Sequence, residues 1–314
     1  MIQRDMDRAE PRSRIGIVGL GAMGSAMARK LVEAGWTVTG FDIRDECVGE
    51  LKAIGGHAAT SALDVARGSD CVILSLNSVT AVDESVGGAG GLSGAAREGL
   101  VVVDTCTLSI EDKLRSKALL EPCGATFIDC VVSGNRNLIL DGTLSVFTSG
   151  DQSACDRLRP VFSVFSKSQE YMGEFGNASK LKFVLNHLIA VHNAASAEAM
   201  ALAARSGLDP AHVYRLVTES FASSRVFDAR ARMMVEGDYT TSRGTYGVAR
   251  KDAQIISDFA RAALVPTPMF HAAWQMHLAG MAAGYTENDT ASLFEVYKRF
   301  SGAPHIPPQK PRIA

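Results

Sequence analysis

Short apolar runs and longer amphipathic segments alternate along the first half of the chain. The runs are "RIGIVGL" from Arg14, "TVTGFDI" from Thr37, "CVILSL" from Cys71, "LVVVDT" from Leu100 and "TFIDCVV" from Thr126. They are rich in β-branched residues and apolar at nearly every position, not at every second one. Strands of that kind are buried on both faces, and the intervening helices are what bury them. The pattern predicts an α/β fold: a doubly wound, parallel Rossmann-type sheet. "GTLSVFTSG" and "SQEYMG" read as a further pair of strands, with "DQSACDRLRPVFSVF" between them as a helix.

The character changes after Gly176. "ASKLKFVLNHLIAVHNAASAEAMALAARSG" has no strand-like stretch and no Gly or Pro before its final glycine, Gly207. It predicts one long helix that stops at Gly207, with Pro210 beyond. Helices are also predicted around "PAHVYRLVTES", "VARKDAQIISDFARAA", "PMFHAAWQMHLAGMAAG" and "DTASLFEVYKRFS". The expected organisation is the doubly wound α/β domain over 14–177, an all-α helical domain over 178–302 and an extended, Pro-rich tail over 303–314.

Composition narrows the function. A chain of 314 residues can bury two cores. Its 32 Lys+Arg against 34 Asp+Glu leave none of the basic excess of a nucleic-acid binder. No window approaches the ~20 apolar residues of a membrane span, and the charged start "MIQRDMDRAEPRSR" reads as a loose arm, not a secretory leader. Six cysteines without a C-x-x-C pair or a His-rich partner segment argue against a metal site or a disulfide framework. Reduced thiols in a cytoplasmic protein are the expectation.

Gly19, Gly21 and Gly24 form G-x-G-x-x-G at the first strand-to-helix junction. The first glycine permits the tight turn, the second lets a pyrophosphate approach the backbone, and the third lets helix and strand pack closely. The new helix's amides then face the anion. Asp42, at the end of the second strand, stands where a carboxylate accepts bonds from the adenosine ribose and repels a 2′-phosphate. NAD is therefore favoured over NADP, although Arg44 nearby offers a 2′-phosphate a partner. Hydride transfer also needs a proton acceptor. Lys182 and Asn186 lie one turn apart on the long helix, on a stripe continued by Ile189 and Asn193. Spacing alone leaves Lys182 open between an acid/base group and a lysine snorkelling to water.

The quoted motifs resemble the β-hydroxyacid dehydrogenase family, which includes 3-hydroxyisobutyrate dehydrogenase, from about Arg14 to Gly302. "GLGAMGSAMARKLVEAG" is similar to its N-terminal fingerprint. "VDTCTLS" is similar to its D-x-S-T-x-S segment, with Cys106 for Ser, and "DCVVSGN" to its D-A-P-V-S-G-G segment. "GNASKLKFVLN" resembles its G-x-G-x-x-x-K-x-x-x-N segment, whose lysine falls on Lys182, and "KDAQIISDFA" carries its K-D pair as Lys251 and Asp252. In the C-terminal half, "AEAMALAARSGL", "VEGDYT" and "GYTENDTASLFEVYKRFSG" resemble the L-threonate dehydrogenase subgroup.

The resemblance implies roles. Lys182 is the general acid/base, and Asn186, Ser133, the Gly134 amide and Thr107 hold a small anionic hydroxyacid. The cofactor is held by Gly19, Leu20, Gly21, Ala22, Met23 and Gly24. Asp42, Ile43 and Arg44 join them, followed by Leu76 and Asn77, then Thr107 and Lys251. The active site is implied to lie between the two domains, and the assembly to be a homodimer or homotetramer built by the helical domain.

Departures gather in the substrate segment. Val131 stands for the proline, Asn135 for the second glycine, and "RNLIL" is bulkier than the usual small residues. Asn tolerates positive φ, but its side chain would crowd a bare backbone, and Arg136 could add an anion contact. Ala178 replaces a glycine ahead of Lys182. Three readings follow: an NAD-dependent dehydrogenase of a small hydroxyacid such as L-threonate; an NADPH-preferring aldehyde, ketone or imine reductase of the same fold; and a non-catalytic dinucleotide sensor. The Lys182–Asn186 pair speaks for the first.

Overall fold

A computed structural model describes residues 14–240 and 244–310. The N-terminal arm and the last tail residues lie outside them. The chain divides into two compact units, with the boundary along the sequence between Lys182 and Phe183.

The first unit alternates as the apolar runs require. Its elements are β1 (Ile15–Val18), α1 (Ala22–Glu33), β2 (Val38–Phe41), α2 (Asp45–Ala53), β3 (His57–Ala58), α3 (Ala62–Gly68), β4 (Cys71–Leu74) and α4 (Val79–Gly87). After these come β5 (Val101–Asp104), α5 (Ile110–Leu120), β6 (Thr126–Ser133), α6 (Arg136–Leu140), β7 (Leu144–Ser149), α7 (Gln152–Arg157), α8 (Arg159–Phe162) and β8 (Ser166–Tyr171). The strands form one sheet in the order β3-β2-β1-β4-β5-β6-β7-β8.

Every residue of β1, β4 and β5 is buried. The period of two explains how a continuous apolar run serves two faces. Ile15, Ile17, Ile73 and Val103 pack into one cluster with Met27 and Leu31 of α1, whereas Val18, Val72, Leu74 and Val102 pack into another with Val65 of α3 and Val82 of α4.

The sheet is not wholly parallel. β6 and β7 pair antiparallel, from Asp129 against Ser149 to Ser133 against Ser145. Only residues 134–143 lie between them, fewer than the dozen or more a parallel crossover needs. The segment expected as one helix over "DQSACDRLRPVFSVF" is two, α7 and α8, interrupted at Leu158. Pro160 has no N–H to continue the first ladder, so it starts a second helix instead. The two-residue β3 is a strand the apolar pattern does not reveal.

α9 (Asn177–Arg205) is the long helix. It ends as its sequence requires: Gly207 takes φ 82°, the Gly207 amide donates to Ala204 O at 3.2 Å, and the Leu208 amide reaches back to Ala203 O at 3.1 Å. The second unit continues with α10 (Pro210–Thr218), α11 (Arg225–Glu236), α12 (Tyr246–Ala262), α13 (Pro268–Ala282) and α14 (Leu293–Phe300). α11 is absent from the sequence reading. Its buried stripe of Phe227, Ala231 and Met234 has helical spacing, and Ser224 caps it by accepting from the Phe227 amide.

Residues 303–310 form neither helix nor strand, as the prolines require, yet they are tied down. Gln309 accepts from the Tyr239 amide at 2.9 Å, donates through Nε2 to Gly237 O at 2.8 Å and exchanges backbone–side-chain bonds with Asn288. The Ile306 amide donates to Glu295, a fully buried carboxylate, at 2.6 Å. Deleting residues 304–314 should destabilise the protein by on the order of 3 kcal/mol, because each buried polar group left unpaired costs ~1–3 kcal/mol. That corresponds to a fall in Tm of roughly 5 °C or more. A thermal scan showing no change would mean the strap contributes nothing to stability.

Candidate active site

The glycine turn sits where β1 gives way to α1, beside β4, at the point where strand order reverses. Gly19 takes φ 93°, and a Cβ there would lie 2.3 Å from Ser75 O. A Cβ on Gly24 would lie 2.0 Å from Gly19 O, so the turn and the helix touch backbone to backbone. Gly21 differs: a Cβ there would meet only the end of Arg44, at 3.8 Å. Gly21 is also the N-cap of α1, and no side chain caps the helix. The first amides of α1 therefore look onto open space beside a bare backbone, which fits a pyrophosphate. Ala22 is exposed, and Met23 is half-buried against the core.

Asp42, just beyond β2, is engaged with this turn. Its Oδ2 accepts from the Leu20 amide at 2.8 Å and from the Arg44 guanidinium at 3.3 Å. Its Oδ1 accepts from the Arg44 amide at 3.0 Å and from Arg44 Nε at 3.1 Å. Burial opposes the charge, but the bonds from Arg44 and Leu20 outweigh it and hold the carboxyl below the ordinary aspartate range. All four acceptor positions of the carboxylate are thus taken. A ribose hydroxyl can bond here only by displacing Arg44, while Ile43 stays out at 90% exposure. Leu76 and Asn77 follow β4, and Thr107 follows β5, half-buried.

Cys106, in the place of the family's serine, is buried and accepts the Leu76 amide at 3.2 Å. Burial, and then the neighbouring Asp104, push its thiol well above the ordinary cysteine range. It acts as a strut between the β4 and β5 loops and is not a nucleophile.

The substrate segment lies at the carboxyl end of β6, on the same edge of the sheet as the glycine turn, because β6 runs parallel to β5. Ser133 is its last strand residue, and Gly134 takes the positive φ of the turn, 139°. Asn135 does not need the left-handed tolerance expected of it. Its φ is −136°, and its side chain turns back to accept from the Asn137 and Leu138 amides as the cap of α6. The bulkier sequence has become a short helix, and the extra side chain is spent on capping it. Arg136 is exposed at the start of that helix.

Lys182 lies against this segment: its Nζ donates to Val132 O at 2.8 Å, and the side chain is half-buried. One turn further along α9, in the second unit, Asn186 Nδ2 donates to Asp252 Oδ2 at 2.7 Å. The same carboxylate stands 3.5 Å from Lys251 Nζ. Asp252 thus orients Asn186, a role its place in the K-D pair did not suggest. His187 stacks on Phe270 at 5.0 Å, and burial lowers its pKa.

A buried ionic cluster beneath the segment was not anticipated. Lys113, Asp104 and Asp129 are all fully buried. Lys113 Nζ donates to Asp129 Oδ1 at 2.9 Å and to Asp104 O at 3.2 Å, with Asp104 Oδ2 at 3.5 Å. Burial disfavours the charged ammonium, but the two aspartates outweigh it and raise its pKa; in turn Lys113 overcomes burial and keeps that of Asp129 low. A signal existed: Lys113 shares an i, i+3, i+7 face of α5 with Ser116 and Leu120, all of them buried.

Residues 14–173 match the NAD binding domain of 6-phosphogluconate dehydrogenase, and residues 176–297 match the NAD-binding family of NADP-dependent 3-hydroxyisobutyrate dehydrogenase. The chain belongs to the β-hydroxyacid dehydrogenase family. This dehydrogenase is 31% identical to an L-threonate dehydrogenase of Escherichia coli, over 90% of its own length and 94% of the relative's. It is 29% identical to the 2-(hydroxymethyl)glutarate dehydrogenase of Eubacterium barkeri, over 93% of its own length and 97% of that protein's. A crystal structure of 3-hydroxyisobutyrate dehydrogenase from Salmonella typhimurium aligns with a TM-score of 0.83 at 31% identity, covering 90% of this chain and 99% of the other. With relatives named as dehydrogenases over nine-tenths of its length, this protein is an oxidoreductase that binds a pyridine nucleotide, and the sensor reading is set aside. Among the described residues, no group of three or more His, Cys, Asp or Glu could hold a metal ion, and no helix is long and apolar enough to cross a membrane.

Proposed function

We propose that this dehydrogenase oxidises a small hydroxyacid of the L-threonate type with NAD, using Lys182 as the general acid/base. The observation that carries this reading is the Lys182 amine, 2.8 Å from Val132 O at the sheet edge that also bears the glycine turn. A bound nicotinamide would supply the hydride acceptor for the carbon bearing the hydroxyl. Lys182, placed by its bond to Val132 O, takes the substrate's hydroxyl proton as the hydride leaves. The resulting ammonium then holds the proton and can return it in the reverse direction. Ser133 Oγ and the Gly134 amide bind the carboxylate. Asn186, oriented by Asp252, holds the hydroxyl. Thr107 and Lys251 contact the cofactor, together with residues 19–24, 42–44, 76 and 77. The same reading takes the protein as a cytoplasmic homodimer or homotetramer assembled through its helical unit.

NAD preference rests on Asp42. A 2′-phosphate would meet its carboxylate, whereas ribose hydroxyls can replace Arg44 on it. Arg44 works the other way, as a partner for a 2′-phosphate once displaced. Initial rates with NAD and NADP, against L-threonate, 3-hydroxyisobutyrate and 2-(hydroxymethyl)glutarate, test both substrate and cofactor. We expect turnover of at least one acid and a kcat/KM at least ~10-fold higher with NAD, the worth of about one ion-pair contact. Arg44→Gln should weaken NADP further and leave NAD within a few-fold. A parent enzyme that prefers NADP would overturn the assignment of Asp42.

A further inference from the structure

Four hydrogen bonds converge on the Asp129 carboxylate, and two come from one residue of α9. Oδ1 accepts from Lys113 Nζ at 2.9 Å and from Ser179 Oγ at 2.7 Å; Oδ2 accepts from Ser149 Oγ at 2.9 Å and from the Ser179 amide at 2.9 Å. Ser149 Oγ in turn accepts the Ala178 amide at 3.1 Å. Ala178 and Ser179 belong to the first turn of α9, where amides have no partner within the helix. The cap of this helix is therefore supplied from β6 and β7, with a negative charge at its positive end.

The spacing then matters. Val132 lies three residues beyond Asp129 on β6, and Lys182 lies three residues beyond Ser179 on α9. The contact between Lys182 Nζ and Val132 O thus lies about one helical turn past the anchor along α9 and three strand residues, roughly 10 Å, past it along β6. We propose that Asp129, held in place by Lys113, is a positioning residue: it locks the rotation and height of α9 against β6 and so sets the Lys182 amine beside the substrate segment. This rests on Lys182 being the acid/base group. A buried ion pair is a poor device for stability alone, since well-packed apolar residues often serve as well. What apolar packing lacks is direction. Four bonds to one carboxylate define an orientation, and a misplacement of ~1 Å at a reacting group can cost about 10²-fold in rate.

Two variants test this, Asp129→Asn and Ser179→Ala. The amine's position is read without turnover, by reductive 13C-methylation of lysines and NMR, with the Lys182 signal assigned by its loss in Lys182→Arg. In both variants the Lys182 signal should move toward those of solvent-exposed lysines. With NAD and the best-used acid among L-threonate, 3-hydroxyisobutyrate and 2-(hydroxymethyl)glutarate, kcat per folded molecule should fall at least ten-fold while the NAD Kd stays within two-fold. An unmoved signal, or kcat within two-fold of the parent, in folded variants overturns the proposal. Should Asp129→Asn fail to fold, Ser179→Ala decides, because it loses only one of the four bonds. If Lys182→Ala kept full activity, the acid/base reading would fall by itself, and the Lys182 signal would still decide whether Asp129 sets the amine's place.

Discussion

Replacing Lys182 by alanine should lower kcat for hydroxyacid oxidation by ~10² or more, the contribution of a positioned acid/base group, which is about 2.7 kcal/mol of barrier. NAD affinity should change little, because the glycine turn and Asp42 are built from β1, β2 and α1, whereas Lys182 stands on α9 against β6. The more telling variant is Lys182→Arg. A guanidinium keeps the positive charge and can still donate to Val132 O, but it cannot give up its proton. If the amine acts by exchanging a proton, arginine should be nearly as poor as alanine. If Lys182 merely supplies charge, or only snorkels along the segment, arginine should restore most of the rate. Steady-state kcat and KM for the three proteins, with NAD Kd from fluorescence, separate these outcomes. Near-parental turnover in Lys182→Arg would end the acid/base assignment.

The second large effect is expected at the glycine turn, where two substitutions of the same size should behave differently. Gly24→Ala places a methyl 2.0 Å from Gly19 O, a distance no real contact sustains, so α1 must shift away from β1 or the turn must open. Both cofactor affinity and stability should fall: NAD Kd should rise by at least ~10-fold and Tm should drop by several degrees, as an overpacked site costs about 1–3 kcal/mol. Gly21→Ala meets nothing closer than the tip of Arg44, at 3.8 Å, so the fold should tolerate it. Its methyl nonetheless stands on the backbone that a pyrophosphate must approach. We expect an unchanged Tm with NAD Kd again weaker by ~10-fold, about 1.4 kcal/mol. Thermal scans with and without NAD read both quantities. Parental NAD binding in Gly21→Ala would show that the open side of this turn is not where the cofactor lies.

Much of this was legible because some physical demands are local. Strands such as Cys71–Leu74 are buried on both faces, so their sequence is apolar throughout and visible without any partner. The turn after β1 needs bare backbone, so its glycines show it. α9 was readable as a run without helix breakers, and its end as Gly207 with Pro210 beyond. Other features were present in the sequence and passed over: Pro160, which divides α7 from α8, and the helical spacing of Phe227, Ala231 and Met234 in α11.

The sequence by itself determined the alternation of strands and helices, the glycine turn with its acidic partner, and the family, since each is written within a few consecutive residues or a fixed local period. Only the tertiary structure decided that β7 turns back antiparallel on β6 and that Asp252 orients Asn186. It alone joined Lys113, Asp129 and Ser179, which are 16 and 50 residues apart along the chain. The reason is one of range. Period and turn chemistry act over a few neighbouring residues, but a buried charge takes its meaning from whichever distant groups the fold sets against it.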